Sequence, residues 1–124
     1  MKILDLPLKA KWYDMIESGV KTEEYREIKP YWEKRLLNYK AIKANARGIA
    51  FKKYFLGLKF DACVEFPRGY THVRFRYGYT KRTMLRELES IRFGYGNPDW
   101  GAPKDKQVFI IKLKPYERKR KISI

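Results

Sequence analysis

One cysteine, Cys63, and one histidine, His72, are the only residues of their kinds in this chain of 124 residues, so no Cys/His zinc site and no internal disulfide can be assembled within it. A metal would have to be held by carboxylates, and none is expected. Long apolar runs are lacking too, since no stretch approaches the roughly 20 residues that a membrane-spanning helix needs. The N-terminal MKILDLPLKAK breaks its apolar run at Asp5 and Lys9, too soon for a secretory signal. The expectation is a cytoplasmic protein with no membrane partner. Neither GxxxxGK nor GxGxxG occurs, which excludes a phosphate loop or dinucleotide fingerprint, and no cofactor is expected.

Acidic residues are also scarce. Fourteen Asp and Glu face 29 Lys and Arg, a formal net charge of +15. The first 28 residues take no part in this imbalance, with five basic and six acidic groups, whereas residues 29–59 carry nine basic groups against Glu33 alone. Residues 104–121 add eight against two, and residues 68–92 add seven against two. A field of this size on a small domain draws polyanions and raises their encounter rate, which makes nucleic acid the leading partner. Lys52, Lys53, Arg74, Arg76 and Lys119 are candidates for that basic surface.

The length allows one domain and one modest core, and 44% hydrophobic residues are enough to build it. A monomer is expected. Leu8, Trp12, Met15 and Ile16 fall on one helical face and Gly19 closes it, predicting a helix over 8–18 after a short apolar run from Ile3 to Leu6 that ends at Pro7. From Val20 the period becomes two and predicts a strand over 20–28, with Thr22, Glu24 and Arg26 on one face and Lys21, Glu23 and Tyr25 on the other. Pro30 can open a second helix running to Asn38, and the spacing of Ile49, Lys53 and Leu56 allows a short third bounded by Gly48 and Gly57. Strands are predicted over 60–66, 72–77 and 107–114. Residues 83–93 suit either a helix or a strand, and strand is preferred; GYGNPDWGAP at 94–103 reads as a structured loop. The fold class is therefore mainly β (α+β): a small closed or partly closed β structure of five or six strands with two or three helices. The basic run from about residue 115 forms a tail.

The densest polar set follows Gly19. On a strand, Glu24 and Arg26 point the same way with Cα atoms about 6.5–7 Å apart, so their side chains can meet over one site. Arg26 offers a fork of donors for a phosphate or base edge, and Lys21 a point charge that becomes a proton acceptor if burial lowers its pKa. Trp100, with Asn97 and Tyr25, is a candidate rim on which a base could stack. His72 lacks a neighbouring nucleophile and reads as structural, and Cys63 reads as a buried thiol among apolar neighbours.

KWYDMIESGVKTEEYREI, from Lys11 to Ile28, resembles the hallmark of the ASCH domain family: a helix ending near a glycine, then G-x-K-x-x-E-x-R, here Gly19, Lys21, Glu24 and Arg26. GYGNPDWGAP followed by VFIIKL is similar to the end of small bacterial and phage members. The resemblance implies a PUA-like β-barrel with a polar cleft beside it and a role in binding RNA. Some short members are amidohydrolases on N4-acetylcytidine, using the motif Lys, a Thr three residues later and a later Glu. Here Lys21 is kept, but Glu24 stands where that Thr would be, and Glu87 or Glu89 would have to supply the later carboxylate. A carboxylate cannot offer the missing hydroxyl, and Glu24 beside Lys21 is expected to favour the charged lysine. An RNA- or nucleotide-binding module is therefore the first expectation and hydrolysis of a modified nucleoside the second.

Overall fold

The computed structural model describes residues 1–36 and 69–116. In chain order they form β1 (Ile3–Leu8), α1 (Ala10–Glu17), β2 (Glu23–Arg26), α2 (Pro30–Leu36), β3 (His72–Tyr77), β4 (Thr83–Gly94), a 3-10 turn (Pro98–Trp100) and β5 (Val108–Leu113). The third helix and the strand over 60–66, with Cys63, Lys52 and Lys53, lie outside the described residues, as does Lys119.

The five strands make one mixed sheet in the order β1-β3-β4-β5-β2, so the architecture is mainly β with two helices among the described residues. β1 runs parallel to β3, and every other pairing is antiparallel. β4 is twice the length of its neighbours because it serves two partners: Thr83–Glu87 pairs with β3, and Leu88–Gly94 with β5. The register shifts between Leu88 and Ser90, a bulge of the kind that bends a strand and lets one sheet turn through two planes.

The main core collects the alternate residues that face inward from four strands: Leu4, Leu6 and Leu8; Val73 and Phe75; Ile91 and Phe93; and Phe109, Ile111 and Leu113. Tyr13 and Ile16 of α1 and Leu36 of α2 close it. β5 is buried on both faces, as its unbroken apolar run predicts, because Val108 and Ile110 join Tyr25 and Ala102 in a second cluster packed by Trp100.

Two boundaries differ from expectation. Leu8 ends β1 and does not begin the helix, and the strand continues through Pro7. β1 is an edge strand, where a missing amide costs no ladder bond, so proline does not stop it. The second strand is also shorter than predicted. Gly19 adopts φ +89, and the Lys21 amide donates to the Met15 carbonyl at 3.0 Å, so residues 19–21 complete the helix end before the ladder starts at Glu23. The strand assignment of 83–93 holds, and the loop over 94–103 contains the 3-10 turn.

Candidate functional site

The tight exit from α1 turns Lys21 inward. Its ammonium is wholly buried, 2.9 Å from Glu24 Oε1, and donates to the Trp100 carbonyl oxygen at 2.8 Å. It also lies 5.2 Å from the Trp12 ring centre and 4.8 Å from that of Tyr25. Strict alternation would have set Lys21 and Glu24 on opposite faces. Because Lys21 precedes the ladder, the two meet as an i, i+3 pair.

Glu24 and Arg26 share a face as the two-residue period predicts. Glu24 Oε2 pairs with Arg26 Nη1, so the buried carboxylate is held between two cations. Arg26 Nη1 also donates to the Tyr25 carbonyl at 2.8 Å, and Nη2 to the Pro7 carbonyl at 3.2 Å. Arg26 thereby bridges β2 and β1, the two edges of the sheet. Its guanidinium lies 5.2 Å from the Trp32 ring centre. Of its five N–H groups, Nε and one on Nη2 take no protein partner among the described residues.

Arg26 and Glu24 line a cavity of about 260 Å³, walled by Trp12, Tyr25 and Trp100 and rimmed by Pro7, Leu8, Lys9 and Gly101. Of the residues expected in one site, Glu24, Tyr25, Arg26 and Trp100 come together at this cavity. Lys21 supports it from behind and is not part of its lining. Thr22 is half-buried and its carbonyl accepts from the Leu113 amide, which ties the residue just ahead of β2 to β5, so it does not line the cavity. Asn97, a candidate for the rim, does not line the cavity: its side chain caps the 3-10 turn by accepting from the Asp99 amide, and its own amide donates to the Tyr25 hydroxyl at 3.0 Å.

Glu87 and Glu89 are elsewhere. Glu87 pairs with Lys114 at 3.3 Å and lines a separate cavity of about 150 Å³ with Arg86 and Tyr116, while Glu89 pairs with Lys112. His72 contacts Thr71 Oγ1 through Nδ1. Arg74 pairs with Asp5 at 2.9 Å, and Arg76 donates to the Thr80 carbonyl. Arg86 is a buried cation that the sequence did not single out. It donates to the Ile16 and Lys114 carbonyls and stacks 3.8 Å from the Tyr116 ring centre, tying α1 to the end of β5.

Burial is the largest influence on Lys21 and lowers its pKa from the ordinary value, although Glu24 pulls in the other direction. The expected dominance of Glu24 is therefore reversed by desolvation. Burial also raises the Tyr25 phenol, which donates to Glu23 Oε1 at 2.8 Å and stays protonated. Lys9, Trp12, Pro7 and Leu8 were missed as lining residues. The KAKWY run, basic residues beside aromatics, was the available signal for Lys9 and Trp12; Pro7 and Leu8 enter only because two distant edges converge.

Among the described residues, no cluster of three His, Cys, Asp or Glu side chains could hold a metal ion, and no helix is long and apolar enough to cross a membrane. Compared with protein-family models, curated proteins and solved structures, the chain matches none.

Proposed function

We propose that this protein binds RNA, taking one base or nucleoside into the Arg26 cavity while the basic surface holds the phosphate backbone. The observation that carries the reading is Arg26 itself: an arginine fixed by three acceptors, with two N–H donors uncommitted among the described residues, in a cavity lined in part by Trp12, Tyr25 and Trp100. Fixed donors give direction, and aromatic walls give a flat ring system a place to stack. A cavity of about 260 Å³ suits one ring system better than a larger ligand. A single nucleoside would not call for a net charge of +15, which favours a polymer. The resemblance to the ASCH family supports the same reading, as does the hydrogen bond from Arg26 on β2 to the Pro7 carbonyl on β1, which links the first and last strands of the sheet order.

Fluorescence anisotropy with a panel of short single-stranded RNAs tests it. Arg26→Ala should weaken binding by about 1–3 kcal/mol and flatten the preference among bases, whereas Lys119→Ala should weaken all members equally. Equal effects of both substitutions on selectivity would dismiss the cavity as a recognition site, with thermal melts confirming that Arg26→Ala remains folded.

A second reading, hydrolysis of an acylated nucleoside such as N4-acetylcytidine, draws on the lowered pKa of Lys21, the direction a general base requires. It ranks lower because Lys21 has no exposed surface, Glu24 is engaged at both oxygens and Glu87 lines another cavity. Chromatographic detection of acetyl loss that vanishes in both Lys21→Ala and Glu24→Ala would move it to first place.

A further inference from the structure

We propose that the tip of the β3–β4 hairpin is a second contact for the same RNA, with Tyr79 stacking on an unpaired base next to the one held at Arg26. The inference rests on the RNA-binding reading and extends it from one nucleotide to a single-stranded segment.

Tyr79 is 98% exposed and makes no hydrogen bond, ion pair or ring contact among the described residues. A lone exposed aromatic on a loose loop would mean little. This one stands on a fixed support. Gly78 takes the left-handed φ of +57 that the turn requires, and its amide donates to the Leu8 carbonyl at 2.8 Å. Thr80 closes the turn on both sides: its hydroxyl donates to the Tyr77 carbonyl at 2.7 Å and accepts from the Arg82 amide at 3.2 Å. Arg76 donates to the Thr80 carbonyl at 3.1 Å and braces the turn from the strand below. A ring presented on a braced turn loses little freedom when a base covers it.

Placement supplies the second argument. Leu8 lines the Arg26 cavity, so the hydrogen bond from Gly78 ties the tip to the cavity wall, and Tyr79 is the next residue along. Consecutive Cα atoms lie about 3.8 Å apart, so the Tyr79 backbone is one residue removed from a contact to the cavity lining. The third argument is charge. Residues 77–82 read YGYTKR, with Lys81 and Arg82 exposed and no acidic side chain in the turn. Arg82 is already occupied, paired with Glu17 and stacked on Tyr13 and Tyr77, which leaves Lys81 as the nearer backbone contact. Aromatic side chains flanked by cations are the recurring platform for single strands, since every base has a π face.

The test titrates labelled single-stranded octanucleotide RNA and a blunt RNA duplex against wild type, Tyr79→Ala, Tyr79→Phe and Arg26→Ala. Tyr79 is almost wholly exposed and its side chain has no partner among the described residues, so its variants retain the wild-type melting temperature. Expected is an affinity loss of about 5- to 100-fold for the octamer in Tyr79→Ala, within about twofold of wild type in Tyr79→Phe, and no change for the duplex. Octamer affinity unchanged in Tyr79→Ala, with Arg26→Ala still impaired, would overturn the stacking post and leave the cavity reading standing. Loss in Tyr79→Phe equal to that in Tyr79→Ala would replace stacking by a hydroxyl contact and overturn it as well. Equal loss on the duplex would overturn the commitment to single strands. Failure of wild type to bind the octamer would overturn both readings together.

Discussion

Lys21 is where burial and charge compete most directly. Its ammonium is compensated by one carboxylate, one carbonyl and two ring faces, and removing it leaves Glu24 to Arg26 alone. Lys21→Ala should destabilise the fold by about 2–4 kcal/mol, near the lower end of the range for breaking a buried pair because the second cation remains. Lys21→Met, which fills the same volume, should cost less. The pH dependence has a definite sign. The folded pKa lies below the ordinary 10.5, so between the two values the unfolded chain binds the extra proton and stability rises with pH. Tyr25 acts oppositely: its folded pKa lies above the ordinary 10.0, so its contribution is complete below that pH and is lost as pH rises beyond it. The melting-temperature advantage of wild type over Lys21→Met should therefore widen as pH rises from about 7 to 10. A difference constant with pH would show that Lys21 does not titrate with folding.

Among the elements, the loop joining β4 to β5 tolerates little change at Gly96. A Cβ on Gly96 would lie 2.5 Å from Tyr25 Cε1 and 2.7 Å from Ala102 Cβ, so the loop presses its backbone onto the ring that walls the cavity. Gly96→Ala should cost about 1–3 kcal/mol and displace Tyr25, weakening RNA binding in step. Gly78→Ala meets no atom within 4 Å and bears only the left-handed strain, about 1 kcal/mol. Urea midpoints of the two variants make the comparison, and equal losses would count against the close packing. β3 and β5 were legible because each has its own two-residue alternation or apolar run, whereas in β4 the alternation of Glu87, Glu89, Ile91 and Phe93 competes with a helical spacing of Met84, Leu88 and Ile91. The end of β1 was hidden, since whether Pro7 breaks a strand depends on its being at an edge, which is a property of the whole sheet. The same limit applied to the cavity. Glu24 and Arg26 could be placed together from one strand, whereas Lys21 depended on the helix exit, and Pro7, Leu8 and Lys9 on a meeting of opposite edges.

At the level of the whole molecule the charge sets a measurable quantity. Four to six phosphate contacts with single-stranded RNA should give a slope of about −3 to −4 in log affinity against log salt. Anisotropy titrations from about 50 to 300 mM salt would show it, and a slope near zero would remove polyanion recognition from the account. Arg26→Ala should change affinity at every salt concentration with little change in slope, since its assigned partner is a base and not a phosphate.

The parallel pairing of β1 with β3 also orders events in time. The contact from the Lys2 amide to Thr71 spans 69 residues, so β1, which precedes the other described strands, waits for the chain as far as β3 before it has this partner. The β3–β4 and β4–β5 pairs are nearer in sequence and can form a nucleus first, with β1 docking onto it afterwards. Leu6→Ala should therefore accelerate unfolding and leave the refolding rate nearly untouched, whereas Ile91→Val should slow refolding. Stopped-flow refolding by Trp fluorescence distinguishes them: a refolding rate depressed as much by Leu6→Ala as its stability requires would mean that the N-terminal strand is already in place at the barrier.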